Sequence, residues 1–178
     1  KGLAVPDLPD YAETAMSRSP IKDVYLFGRR GPLDAKFTNV ELREFGELSQ
    51  CVPQVKTDQL PDGVGDLEGR EKRLKERNLE TLRQFSERQP DEKPNRVHFE
   101  FFASPSEILG TDKVEGIRLE RTRVEGGRAI GTGEFFDVAC GLVVSAIGYR
   151  GIPLEGAPFD ERSGIIPNDD GRIEDGLY

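Results

Sequence analysis

Apolar positions along the chain switch between two spacings, and the switches mark the expected elements. Asp23-Val-Tyr-Leu-Phe27 is a run of four apolar residues bounded by charge on one side and Gly28 on the other, which predicts a short buried strand. Gly28, Gly31 and Pro32 then predict a turn. Behind Thr38-Asn-Val-Glu41, which matches a capping box, Leu42, Phe45 and Leu48 recur at helical spacing, so a helix is expected to begin near Thr38. Residues 51–65, rich in Pro, Gly and Asp, read as a loop. Residues 66–89 predict a charged helix whose apolar stripe is Leu67, Leu74, Leu79, Leu82 and Phe85, ended by Pro90 to Pro94. Arg96-Val-His-Phe-Glu-Phe-Phe102 is nearly continuous in apolar character and suits a sheet interior. Upstream, between Pro9 and Pro20, Ala12 to Ser17 is expected to form a short helix.

The second half changes pattern. Residues 103–110 read as a turn, after which Val114 to Val124 alternates apolar and charged positions, with further strands expected over 128–130 and 134–140. Gly126-Gly127 and Gly131-Thr-Gly133 sit between strand-like runs and read as hairpin turns, which predicts an antiparallel meander with one wet face. Leu142-Val-Val-Ser-Ala-Ile147 is the most apolar stretch and is expected to be a strand ending in Gly148-Tyr-Arg-Gly151. The fold class that follows is α/β: a Rossmann-like parallel sheet with helices and an antiparallel meander.

Composition narrows the function. The 178 residues suit one ordinary domain with a core, and an apolar fraction of 35% is that of a water-soluble protein. A net charge of −8, with basic residues interleaved among acids, argues against nucleic acid as a partner. No apolar run approaches a membrane span, and the start has no signal-peptide pattern. Cys51 and Cys140 have no metal-site spacing and one His cannot complete a cluster, so no metal is expected; a disulfide between the two cysteines stays open.

The candidate chemistry lies in the first turn. Arg29 and Arg30 stand where the first strand ends, and ligands of open α/β sheets bind at carboxyl ends of strands. Two planar, permanently charged forks there suit a dianionic phosphate, such as the 2′-phosphate by which NADP differs from NAD. Paired arginines also simply solvate surface loops, and the capping box alone explains Glu41. His98 has no partner motif for catalysis and reads as a strand residue satisfied locally. No G-x-G-x-x-G occurs at a strand-to-helix junction, so a grip on a pyrophosphate is not expected in this chain.

The run Leu26-Phe-Gly-Arg-Arg-Gly-Pro-Leu-Asp-Ala-Lys-Phe-Thr-Asn-Val-Glu-Leu-Arg-Glu-Phe45 resembles the NADP-binding domain of adrenodoxin-reductase-like ferredoxin-NADP reductases. Gly148-Tyr-Arg-Gly151 and the stretch 158–173 resemble the same family in the expected order. The resemblance implies that Arg29 and Arg30 hold the 2′-phosphate of NADP and that Glu41 meets the adenosine end. It also implies a parent enzyme in which electrons pass from NADPH through FAD to a ferredoxin- or adrenodoxin-type iron-sulfur protein, in the bacterial cytoplasm or the mitochondrial matrix. Residues 1–147 would be the NADP-binding domain without its first Gly-rich βα unit, and 148–178 the crossover returning to the FAD-binding domain. Beginning at Lys1 and lacking both dinucleotide fingerprints, the chain is expected to be a fragment, inactive alone and without a catalytic residue. Two alternatives stay open: a regulatory or interaction module that kept the fold, and a relative of the glutamate-synthase small subunit.

Overall fold

A computed structural model describes residues 9–176. The chain divides into two compact units, residues 1–141 and 142–178.

In the first unit, helix α1 (Asp10–Ser17) leads to strand β1 (Asp23–Gly28), a 3-10 turn at Pro32–Asp34 and helix α2 (Asn39–Glu47). Strand β2 (Cys51–Val55), a second 3-10 turn at Thr57–Gln59, helix α3 (Gly69–Ser86) and strand β3 (Asn95–Phe101) complete the α/β part. The three strands form a parallel sheet in the order β1-β3-β2, with Asp23 opposite Arg96 and Val55 opposite Phe99. One face is apolar because Val55, Val97, Phe99 and Phe101 alternate out of the pleat onto it, where Leu42 of α2 and Leu82 and Phe85 of α3 close the core. Phe99 is its centre: the rings of Phe37 and Phe45 meet it edge-on and that of Phe85 stacks on it.

Strands β4 (Ala103–Leu109), β5 (Gly116–Glu125) and β6 (Arg128–Ala139) follow as an antiparallel sheet in the order β4-β5-β6, the expected meander. Gly126 and Gly127 both have positive φ, 56° and 73°, the backbone a two-residue hairpin of the right twist requires.

Several sequence expectations need correction. β1 is a strand but lies at the sheet edge, so Val24, Tyr25 and Leu26 are partly exposed rather than buried. The stretch after Cys51 contains β2 and not only loop: Pro53 disguised it, yet proline is tolerated there because β2 is the other edge and one side of it needs no amide donor. Residues 103–109 are a strand rather than a turn, with Pro105 at a register shift in the ladder. β6 runs unbroken through Gly131-Thr-Gly133, which is an irregularity in the ladder opposite Glu120 to Thr122 and not a hairpin. Both cysteines are free.

Among its described residues the second unit has no helix or ladder, only the isolated bridges Asp160 to Ile165 and Asp169 to Arg172. The expected strand over Leu142–Ile147 is not formed, and Ile147 is 92% exposed. An apolar run is a strand only when a neighbour completes its backbone hydrogen bonds, and none among the described residues does so. Within this unit Asp160 caps a tight loop by accepting from Arg162 N and Ser163 Oγ, and Gly151 N donates to the Gly164 carbonyl.

Candidate functional site

The carboxyl ends of β1, β2 and β3 point the same way, and the turn after β1 carries Arg29 and Arg30 onto that rim. The turn is built from its backbone. Arg29's carbonyl accepts from Thr122 Oγ1 at 2.7 Å and Arg30's carbonyl accepts from Phe102 N at 3.3 Å. Thr122 N in turn donates to the Phe102 carbonyl at 2.9 Å. Thr122 is buried on β5, and Phe102 sits between β3 and β4 with φ 55°, a left-handed conformation that costs a bulky residue about 1–2 kcal/mol. Gly31 is necessary beside it: a Cβ there would come within 2.7 Å of the Phe102 ring. The meander therefore clamps the arginine turn from behind.

The two arginines differ. Arg29's side chain is exposed. Arg30 is partly buried, and its NH1 donates to Asp34 Oδ1 at 3.0 Å and to the Gly127 carbonyl of the β5–β6 hairpin at 3.3 Å. Glu41 lies at the N-terminus of α2 in a complete capping box: its Oε2 accepts from Thr38 N at 2.7 Å and Thr38 Oγ1 at 2.8 Å, while Glu41 N donates to Thr38 Oγ1. These bonds hold its pKa below the usual glutamate value. One carboxylate oxygen is thereby committed to the helix end.

A second polar cluster ends β3 on the same rim. Glu100 is buried, and its Oε1 accepts from Arg121 NH1 at 2.7 Å, Gln59 Nε2 at 2.9 Å and Lys56 Nζ at 3.1 Å. Burial alone would raise its pKa; Arg121, Lys56 and Gln59 together outweigh burial and leave it lowered. Arg121 also lies over the Phe136 ring, 3.9 Å from its centroid. Glu100 thus ties β3, the segment after β2, and β5 together. Sequence reasoning missed Asp34, Phe102, Thr122 and Glu100, and the last three act through partners brought near only by folding. Asp34 alone had a local signal, four residues after Arg30 in a helix-like turn.

His98 stands away from the arginine turn, in the middle of β3, where its Nε2 is 2.7 Å from Asp23 Oδ1 and its ring stacks on Tyr25 with centroids 4.4 Å apart. The structure satisfies it locally, as expected. No cluster of residues able to hold a metal ion occurs among the described residues.

No profile of a known protein family matches the chain. It is similar to NADPH-ferredoxin reductase FprA of Mycobacterium tuberculosis, 40% identical over 96% of this chain and 39% of the relative. It is also similar to the mitochondrial NADPH:adrenodoxin oxidoreductases of Arabidopsis thaliana and Homo sapiens, each 37% identical, over 96% and 97% of this chain and 38% of either relative. The solved structure of M. tuberculosis FprA in complex with NADPH superposes with a TM-score of 0.84 at 38% identity, covering 94% of this chain and 38% of that one. The chain therefore spans less than two-fifths of the length of these relatives.

Proposed function

We propose that this chain, homologous over nearly its whole length to NADPH-ferredoxin and NADPH:adrenodoxin oxidoreductases, is the NADP-binding part of such a reductase. The observation that carries the reading is the pair Arg29 and Arg30 on a backbone-clamped turn at the carboxyl rim of a parallel sheet. Both would grip the coenzyme's 2′-phosphate, and Glu41, through the carboxylate oxygen not used in its capping box, would meet the adenosine end. A guanidinium-phosphate contact that is partly desolvated contributes about 1.5–3 kcal/mol, enough for two such contacts to decide between NADPH and NADH.

The whole protein would transfer hydride from NADPH to FAD and pass single electrons to a ferredoxin- or adrenodoxin-type iron-sulfur protein, in the bacterial cytoplasm or the mitochondrial matrix. When bound, the flavin supplies the redox chemistry; the residues of this chain orient and hold one end of the nicotinamide coenzyme. Residues 1–147 would serve that binding, and 148–178 would lead back toward a flavin-binding part.

The direct test is titration of the chain with adenosine 2′,5′-bisphosphate and with adenosine 5′-monophosphate. Tighter binding of the bisphosphate, lost when Arg29 and Arg30 are both replaced by Ala, supports the reading. Equal binding of the two ligands rejects it and favours an interaction module that kept the fold.

A further inference from the structure

The two arginines of the turn are held so differently that they cannot contribute equally. Arg30 makes both of its contacts through a single nitrogen: NH1 reaches Asp34 Oδ1 at 3.0 Å and the Gly127 carbonyl at 3.3 Å. A guanidinium has a second donating edge, Nε with NH2, and that edge is the geometry a phosphate takes in a bidentate contact. Fixing NH1 from two sides therefore sets the plane of the fork while leaving the Nε–NH2 edge for an anion. Asp34 can do this because it ends the 3-10 turn Pro32–Asp34, four residues after Arg30, and the Gly127 carbonyl can do it because the hairpin places a peptide oxygen at its tip.

We propose that Asp34 is a positioning residue for coenzyme selectivity: with the Gly127 carbonyl it presents Arg30 in a preset orientation, and exposed Arg29 closes on the same phosphate as the adaptable partner. The inference rests on the coenzyme reading above and sharpens it. It also decides between two opposite effects of an acid beside a phosphate site. As a bare charge, Asp34 would repel the dianion and weaken its binding. As an orienting contact, it removes the rotamer freedom that Arg30 would otherwise lose on binding.

The experiment compares affinities of adenosine 2′,5′-bisphosphate and adenosine 5′-monophosphate for the full chain and its variants. The ratio of the two reports the 2′-phosphate contact, whereas general damage to the fold weakens both ligands alike. Asp34→Ala is expected to lower the ratio about fivefold, the upper end of the range for a half-exposed ion pair. Asp34→Asn, whose amide oxygen can still accept from NH1, is expected to recover part of the loss. Arg30→Lys is expected to lower the ratio as well, since an ammonium has no Nε–NH2 edge.

A ratio that rises or stays unchanged in Asp34→Ala overturns the inference and leaves Asp34 a counter-charge or a bystander. So does an equal loss in Asp34→Asn and Asp34→Ala, which would assign the effect to charge rather than orientation, or an equal weakening of both ligands. If the unaltered chain shows no preference for the bisphosphate, it is the coenzyme reading itself that fails.

Discussion

At Asp23 one carboxylate satisfies two basic side chains of the neighbouring strand. Arg96, directly opposite in register, donates from Nε at 2.6 Å and from NH2 at 2.8 Å, and His98, two residues on, meets the same carboxylate at 2.7 Å. The Arg96 hydrogen bonds are the main cause that holds Asp23 far below the usual carboxylate range, with burial working against them and His98 adding to them. A depressed folded pKa means stability that is present above the unfolded value of about 4 and is lost as pH falls through the folded value. Asp23→Asn is therefore expected to destabilise the protein by about 1–2 kcal/mol at neutral pH, a bidentate pair discounted for its partial exposure. The gap between the two proteins should narrow steadily below about pH 4, where Asp23 begins to be protonated in the unfolded chain. Denaturant melts at pH 7 and at pH 3 check this; a gap of constant size would show that the pair contributes nothing electrostatic. Glu100 obeys the same sign, but its burial changes the size of the effect. Glu100→Ala would leave Arg121, Lys56 and Gln59 without their shared acceptor and is expected to cost about 1–3 kcal/mol, read from the same melts.

Among the elements, α2 is the one whose start the sequence specifies most completely. Thr38 and Glu41 exchange hydrogen bonds across the first turn, and Leu42 follows into the core. Thr38→Ala removes the hydroxyl that accepts from Glu41 N and donates to Oε2, and is expected to cost about 1 kcal/mol, with fraying at the first turn of α2 visible in amide exchange. Unchanged exchange there would mean that packing of Leu42 fixes the helix without its cap. The same contrast explains what the sequence disclosed. The arginine turn, α2, α3 and β3 were legible because their signals are local: a cap, a glycine-proline turn, a stripe of spacing 3.6. β2 and β4 were not, since each contains a proline that reads as a breaker until its place at a sheet edge or a register shift is known. Leu142–Ile147 failed in the opposite direction, for its composition is that of a strand while its ladder depends on a neighbour. In the candidate site the arginines were legible and their supports were not: Thr122 and Gly127 reach the turn from more than ninety positions away.

For the molecule as a whole, the sheet has an asymmetry that bears on its stability. β3 is central and pairs on both sides, whereas β1, which delivers the arginines, pairs among the described residues only with β3 and leaves Val24, Tyr25 and Leu26 partly exposed. A strand held on one side opens at lower free energy than one held on both, and residues without a ladder open at almost none. Hydrogen exchange of the chain should therefore resolve three levels. Amides of Arg96–Phe101 are expected to be the most protected, those of Val24–Phe27 intermediate, and those of 142–158, which form no bridge, to exchange fastest. Binding of a 2′-phosphorylated adenosine at the turn would add stability to the folded state in proportion to its occupancy, and the gain should appear in β1 and at Thr122 rather than uniformly. The ordering fails if β1 matches β3 in protection without ligand, because an edge strand so well held would need a second partner along its open side. In that case Val24 and Leu26 would be covered in solution, and the chain would associate with another polypeptide through that edge, which analytical ultracentrifugation over a range of concentrations would detect as a mass above that of one chain.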